Sequence, residues 1–260
     1  MSPANVRYTL EGQVAVVTLD NPPMNALDPA TKQDLATVFT ELYARQAEIR
    51  AVVLTGAGEK AFVAGADIKS FPDLTPASAR QRLTETHRIY RLVEDYPWPV
   101  IAAIHGFCLG GGLELALCCD LRYAGEEATF GFPEVKLSIF PGNGGTARGL
   151  YFLTLGRLKE LVYTGRNLSA AEALDYGLIE RVTPTGGHLD AALETAAVIA
   201  KRGPLGVAAA KRTINRARDL WLEEALKLET ENWAALTATE DMKEGARAFI
   251  DKRKPEYKGR

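Results

Sequence analysis

The sequence predicts a mixed α/β fold followed by a helical C-terminal region. In the first part of the chain, short apolar segments typical of buried strands alternate with amphipathic segments of helical length, which favours parallel strands joined by helices. From Leu158 onward the strand signals nearly vanish, and the composition changes to Ala, Leu, Lys and Glu. We therefore divide the 260-residue chain into an α/β core, residues 1–195, and a helical region, residues 196–260.

The elements follow from apolar periodicity and turn residues. Strands are expected at residues 6–10, 14–19, 51–54 and 100–104. Helices are expected at residues 29–46, with Asp28 as N-cap, and at 76–95, 169–176, 189–202, 204–218 and 220–250. The apolar stretch 98–121 contains Pro99, a run of three glycines and Glu114, so it predicts a buried strand, a turn and a buried helix and not a membrane span.

Composition excludes several classes of protein. Lys and Arg number 31 against 33 Asp and Glu, a net charge of −2, so no overall field favours nucleic acid or an anionic membrane as a partner. The three cysteines contain no CxxC pair, which argues against a disulfide framework and a zinc site, and no metal is expected. The sequence shows no targeting pattern, so we expect a cytoplasmic protein.

The segment AGADIK, residues 64–69, is the first candidate for chemistry. Its small residues leave backbone N–H groups accessible to a ligand oxygen. Asp67 is expected either to cap the following segment or to order the loop through bonds to its backbone. A plain turn is the alternative interpretation.

The segment HGFCLGGGLELALCCD, residues 105–120, is the second candidate. Its three glycines precede an apolar helix, and a helix start presents unpaired N–H donors. Glu114 lies in the first turn, where an acid is also stabilising for purely structural reasons. However, its neighbours are apolar, and burial would raise its pKa, as in many functional carboxylates.

The segment FGFPEVKLSIFPGNGG, residues 130–145, supplies a second acid, Glu134. Two carboxylates that flank one pocket can handle a water molecule together, although a surface turn is the commoner place for such a Glu. Residues 142–147 also match the GxGxxA dinucleotide pattern, but Pro141 directly before them and the absence of a clear following strand with a terminal acid argue against it.

Six blocks in order carry a resemblance to a known family. They are VAVVTLDNPPMNAL (14–27), AVVLTGAGEKAFVAGADIK (51–69), IAAIHGFCLGGGLELALCCD (101–120), FGFPEVKLSIFPGNGGT (130–146), TGRNLSAAEALDYGLIERV (164–182) and AFIDKRKPEYKGR (248–260). Together they resemble the enoyl-CoA hydratase/isomerase (crotonase) superfamily, most closely its enoyl-CoA hydratases. The resemblance implies a crotonase-like spiral of ββα turns with a C-terminal helical trimerisation region, assembled as a homotrimer or homohexamer.

The same resemblance implies a site. The N–H groups of Ala66 and Gly111 would form an oxyanion hole for the thioester oxygen of an acyl-CoA, and Glu114 and Glu134 would be the catalytic pair. Further substrate-binding residues would come from the first loop, from the segment after Glu134 and from the C-terminal zone of a neighbouring subunit. They are Ala64, Asp67, Ile68 and Lys69, then Phe140 and Gly142, then Phe249, Lys252 and Lys258.

The expected reaction is the reversible hydration of a 2-enoyl-CoA, with coenzyme A entering as part of the substrate and no separate cofactor. Ser138, Phe140 and Asn143 depart from the LGxIPGAGGT pattern of many hydratases, which leaves the acyl group and a different reaction open. The rivals are a Δ3,Δ2-enoyl-CoA isomerase or hydrolase on the same scaffold. A non-catalytic RNA- or protein-binding homologue is a further alternative, disfavoured by the two acids and the net charge.

Overall fold

The computed structural model describes residues 5–260, which contain two β-sheets. The strands are β1 (Val6–Glu11), β2 (Val14–Leu19), β3 (Ala51–Gly56), β4 (Ala61–Val63), β5 (Val100–Ile104), β6 (Phe107–Leu109), β7 (Leu121–Gly125), β8 (Thr129–Gly131), β9 (Asn167–Ser169) and β10 (Arg181–Thr183). The larger sheet has the order β1-β2-β3-β5-β7-β10, and the smaller sheet has the order β4-β6-β8-β9.

Successive strands enter different sheets. β3, β5 and β7 lie parallel in the larger sheet, and β4, β6 and β8, which follow them along the chain, lie parallel in the smaller one. This alternation produces the spiral of ββα turns that the sequence resemblance implied. The four predicted strands are confirmed. The strands of three residues and β7, which contains Arg122, were missed because they are too short or too polar to show a clear apolar pattern.

Most predicted helices are confirmed to within two residues. The helices are α1 (Pro29–Ala44), α2 (Pro76–Glu94), α3 (Gly111–Ala116), α4 (Gly145–Arg148), α5 (Leu155–Thr164), α6 (Ala170–Tyr176), α7 (His188–Ala200), α8 (Pro204–Ala217), α9 (Leu222–Leu236) and α10 (Glu240–Ile250). Asp28 caps α1, as predicted, by accepting the Thr31 N–H. The single helix predicted over residues 220–250 is wrong: the chain breaks after α9, and the Thr239 hydroxyl caps α10 by accepting the Met242 N–H.

Helix α7 covers the outer face of the larger sheet. Its alanines Ala191, Ala192 and Ala196 pack in one buried cluster with strand residues that include Val53 and Ile101. The small side chains let the helix approach the sheet closely. The division near residue 195 therefore falls inside α7, and the two-part organisation of the chain stays a prediction.

The C-terminal helices expose large apolar side chains. Helix α9 buries none of its residues within the chain, and Trp221, Trp233 and Phe249 are 86%, 68% and 86% exposed. Contiguous apolar surface of this kind is typical of an interaction face. Among residues 5–260, no helix combines the length and the apolar character needed to cross a bilayer.

Candidate active site

Ala66 and Gly111 follow two neighbouring strands of the smaller sheet. β4 ends at Val63, three residues before Ala66, and β6 ends at Leu109, two residues before Gly111. The two strands pair in parallel, so both loops leave the sheet at the same edge. Within residues 5–260, neither the Ala66 N–H nor the Gly111 N–H donates a hydrogen bond. Two backbone donors without a partner in this range therefore lie on neighbouring loops, and their role as an oxyanion hole stays a prediction.

The three glycines before α3 are required for different reasons. Gly110 has φ 51° and ψ −122°, a conformation that L side chains rarely adopt. A Cβ on Gly112 would stand 2.2 Å from the Val63 carbonyl oxygen, so this glycine allows α3 to pack on β4. A Cβ on Gly111 would have its nearest neighbours at 3.7 Å or more. Neither packing nor backbone strain demands glycine there, which leaves the space to a ligand.

Glu114 is a fully buried carboxylate with three hydrogen-bond donors. Its Oε1 accepts the N–H groups of Asn143, at 2.7 Å, and Gly145, at 2.9 Å, and its Oε2 accepts the Asn143 side-chain amide at 2.9 Å. Burial raises the pKa of Glu114, and these three bonds oppose that rise. A buried acid with such partners can remain a carboxylate.

Glu134 lies beside Glu114 but has no such support. It belongs to a 3₁₀ turn, Pro133–Leu137, and its Oε1 lies 2.8 Å from the position of a Cβ on Gly110. Its Oε2 is buried and has no hydrogen-bond partner within residues 5–260. Burial, and then the charge of Glu114, raise the pKa of Glu134 to about 7. The pKa values of both acids are thus raised, and Glu134 lacks the donors from other residues that oppose the rise at Glu114.

Two buried polar residues that the sequence did not indicate lie near α3, one bonded to its first residue and one acting on the charge of Glu114. The Tyr90 hydroxyl donates to the Gly111 carbonyl oxygen at 2.7 Å. The Lys32 ammonium donates to the Thr86 hydroxyl at 3.0 Å, and burial, followed by the charge of Arg82, lowers the pKa of Lys32 to about 8. The signal was available for Lys32, because it lies three residues before Leu35 on the apolar face of α1.

An ion-pair network fixes the turn that binds Glu114. Arg148 contacts Glu94 at 2.7 Å, and Arg218 contacts the other oxygen of Glu94 at 3.0 Å. Arg148 also donates to the Asn143 carbonyl oxygen at 3.3 Å. The network therefore joins α2, α4 and the end of α8 at the back of the glutamate pair.

Comparison with known proteins identifies the family. The family model described as "Enoyl-CoA hydratase/isomerase" matches residues 9–260. The chain belongs to this enoyl-CoA hydratase/isomerase family. It is 41% identical over 253 residues to a short-chain-enoyl-CoA hydratase of Clostridium acetobutylicum, with 97% of each chain covered. It is 37% identical over 258 residues to a crotonyl-CoA hydratase of Syntrophomonas wolfei, with 99% of each covered.

A solved family structure has the same fold. The enoyl-CoA hydratase of Bacillus anthracis superposes with a TM-score of 0.94 at 40% identity, over 98% of this chain and all of the other. The crotonase-like fold expected from the sequence is therefore confirmed. The 142–147 segment opens the four-residue helix α4, with no strand directly before it, so it does not form the strand–turn–helix unit of a dinucleotide site.

The first predicted binding loop is ordered by its own side chains. The Ala64 N–H donates to the Met24 carbonyl oxygen at 3.0 Å, and Asp67 accepts the Lys69 N–H at 3.1 Å. Asp67 therefore orders the loop, the second of its two expected roles, and caps no helix. Ile68 is 51% exposed, and Lys69 is also exposed, so both can reach a ligand.

The other predicted binding residues make no hydrogen bond to the glutamate pair within residues 5–260. Phe140 is 64% exposed, and the Gly142 carbonyl oxygen accepts a hydrogen bond from His87 Nε2 at 2.8 Å, while the N–H that reaches Glu114 comes from Asn143. In the C-terminal zone, Phe249 and Lys252 are exposed, and the Lys258 N–H donates to Asp241. The role of this zone stays a prediction.

Proposed function

We propose that this chain is an enoyl-CoA hydratase, a hydro-lyase that adds water reversibly to a 2-enoyl-CoA thioester and gives a 3-hydroxyacyl-CoA. The observation that carries the proposal is the pair of adjacent acids, Glu114 with three donors and Glu134 with none from another residue in the range 5–260, beside the free N–H groups of Ala66 and Gly111. Hydration needs a base and an acid at once. Environments that move the pKa values of two carboxylates apart in this way supply both.

The two N–H groups would bind the thioester oxygen. Attack of water at Cβ of the enoyl group moves negative charge onto that oxygen, so donors aimed at it stabilise the transition state more than the ground state. In support of this, the Gly111 position is open beside the Ala66 nitrogen, at 3.8 Å from the place of a Cβ. The Tyr90 bond to the Gly111 carbonyl oxygen, 2.7 Å, holds that peptide unit in place.

The acids would divide the proton transfers. Glu114, ionised, accepts a proton from the water as its oxygen bonds to Cβ. Glu134, protonated, delivers its proton to Cα. The two groups exchange roles in the reverse, dehydrating direction. Because the acids interact closely, their titration belongs to the pair.

Assembly and cofactor use complete the proposal. Coenzyme A would lie along the loop of residues 64–69, with Phe249, Lys252 and Lys258 reaching it from a neighbouring subunit of a homotrimer or homohexamer. The exposed aromatic residues of α9 and α10 support such an assembly. No separate cofactor enters the steps above. We also propose a cytoplasmic location, which the three free, buried cysteines support.

The test is turnover of a panel of 2-enoyl-CoA thioesters, followed by loss of the conjugated thioester absorbance, with a 3-enoyl-CoA as the isomerase substrate. Glu114→Gln and Glu134→Gln should each slow hydration by about 10²–10⁴ while acyl-CoA binding survives. An isomerase needs only one carboxylate to move a proton from Cα to Cγ. Isomerisation that survives one substitution, without hydration by the unmodified protein, would assign the chain to that rival reaction.

A further inference from the structure

Among residues 5–260, the side-chain amide of Asn143 is the one side-chain hydrogen-bond donor to the Glu114 carboxylate, so a substitution can remove it without changing the backbone. Glu114 receives two main-chain N–H bonds, from Asn143 and Gly145, on Oε1. Its Oε2 receives the Asn143 Nδ2 at 2.9 Å. One residue therefore binds both oxygens of the carboxylate and fixes the plane in which it lies.

We propose that the side chain of Asn143 is a positioning residue that keeps Glu114 ionised and oriented, so that the proton of the glutamate pair rests on Glu134. The inference rests on the proposed function only in assuming that this pair performs the proton transfers. It assigns a role to a residue that departs from the Ala found at this position in many hydratases.

The difference in donors between the two acids decides where the proton lies. Hydrogen bonds to a carboxylate favour its charged form, and Glu114 has three of them. No donor from another residue in the 5–260 range reaches Glu134, and its Oε2 is buried without a partner. Since two neighbouring carboxylates that repel each other do not both ionise readily, the proton stays on the acid with fewer donors, Glu134.

The orientation of the Asn143 amide follows from its neighbours. If the amide were turned over, its Oδ1 would face the Glu114 Oε2, and two acceptors would meet. In the observed orientation Oδ1 is buried and, within the described chain, has no donor. The unpartnered Oδ1 is therefore the cost of placing Nδ2 on Glu114.

The backbone of this turn is held independently of the side chain. Arg148, paired with Glu94, donates to the Asn143 carbonyl oxygen at 3.3 Å. A truncated side chain at position 143 should therefore leave both N–H bonds to Oε1 in place. Asn143→Ala therefore removes only the hydrogen bond from Nδ2 to the Glu114 Oε2.

Other titratable groups face Glu114 from every neighbouring element, and substitution of Asn143 alters none of them. They are Glu134 on the turn 133–137, Lys32 on α1, Tyr90 on α2 and Cys118, two residues after the end of α3, while α4, which packs against α3, carries Arg148. Burial keeps Tyr90 and Cys118 neutral by raising the pKa of each well above its usual value. The cation of Lys32 favours the ionised form of Glu114.

The test compares the pH dependence of kcat/KM for hydration in the unmodified protein, Asn143→Ala and Asn143→Asp. The acidic limb reports the ionisation of the base, so loss of one donor should move it to higher pH by about 1–2 units in Asn143→Ala. Asn143→Asp, which places a second acid against Glu114, should move it further. Activity that falls equally at every pH, with unchanged limbs, indicates a merely structural role and would overturn the proposal.

A second readout does not depend on turnover. Infrared difference spectra against pH show the band of a protonated carboxyl, which Glu114→Gln and Glu134→Gln assign. With Asn143 in place, the band should vanish only when Glu134→Gln is introduced. In the Asn143→Ala background, Glu114→Gln and Glu134→Gln should each remove part of the band. A band that belongs to Glu114 in the unmodified protein would contradict the proposal. If no enoyl-CoA is hydrated, the proposed function fails, while the infrared titration still decides the role of Asn143.

Discussion

The backbone nitrogen of Ala66 lies 3.8 Å from the point at which a Cβ atom would stand on Gly111. A methyl group at that point would face the two free N–H groups and occupy the space of a bound oxygen atom. Among residues 5–260 nothing else crowds that point, since the Tyr90 hydroxyl, its nearest neighbour, lies 3.7 Å away. A small substitution at Gly111 can therefore impair ligand binding without impairing folding.

Gly111→Ala is expected to fold normally and to lose about 10²–10³ in kcat/KM, the usual effect of disabling one oxyanion donor. Folding should survive because the added methyl meets no atom closer than 3.7 Å. Gly156→Ala is the matched control, because a Cβ on Gly156 in α5 has no atom within 4 Å. Circular dichroism and turnover check the result. Normal turnover in a folded Gly111→Ala would rule out the oxyanion role.

The double variant Glu114→Gln/Glu134→Gln is expected to lose far less activity than the product of the two single losses. Both acids act on one water and one substrate, so removal of either already disables the unit. Single-turnover rates of the unmodified protein, the two single variants and the double variant complete this double-mutant cycle. Losses that multiply would mean that the two acids act in separate steps.

Glu134→Gln is expected to stabilise the protein at alkaline pH. The pKa of Glu134 is raised from 4.5 to about 7, so the folded state favours its neutral form. The corresponding stability is present below pH 4.5 and is lost as the pH rises through about 7. A neutral Gln avoids that loss, so urea unfolding should show little difference at pH 5 and a gain of roughly 2–3 kcal/mol at pH 8.

The control for this measurement is Glu229→Gln on the exposed side of α9. It should leave the free energy of unfolding nearly unchanged at both pH values. If Glu134→Gln shows the same small difference at pH 5 and at pH 8, its carboxyl does not carry the raised pKa in the folded protein.

Light scattering is expected to give a mass of three or six times the 28.3 kDa chain. Trp221, 86% exposed at the start of α9, should lie against a neighbouring subunit, because a lone helix does not stably expose so much aromatic surface. Trp221→Asp should therefore lower the mass, whereas Glu231→Ala on the same helix should not. A monomer at micromolar concentration in the unmodified protein would contradict the assembly.

Local pattern predicted Glu114 better than Glu134. The residues around Glu114 are all apolar, which indicated a buried acid, and the structure leaves none of it exposed. Glu134 is in a turn that looks like surface in the sequence, and its Oε1 lies 2.8 Å from the place of a Cβ on Gly110, in space that the glycine leaves open. The Asn143 contact to Glu114 joins residues 29 positions apart, and no periodicity reports such a separation.

The fold shows the same division between local and distant information. The N-cap of α1 and the bounds of α6 could be predicted because each helix start depends on nearby residues. Asp28 and Ser169 each accept the N–H of the residue three positions further along the chain. The break between α9 and α10 also has a local cause, the Thr239 cap, but the apolar pattern across it concealed the signal. Strands such as β4 and β6 are defined by their partners in the sheet, which the sequence of three residues does not specify.

Because β4 and β6 are neighbours in one sheet, the two loops that follow them start from adjacent strands, which lie about 4.8 Å apart. Under the proposed function, the anion-binding geometry is thus built into the scaffold, whereas Phe140 and its exposed neighbours belong to a segment that makes no strand. The two can diverge separately. If Phe140 contacts the acyl group, as the sequence resemblance implies, new acyl preferences can arise by exchange of its segment while the proposed oxyanion hole is inherited unchanged, which would make the chain a suitable starting point for redesign of substrate range.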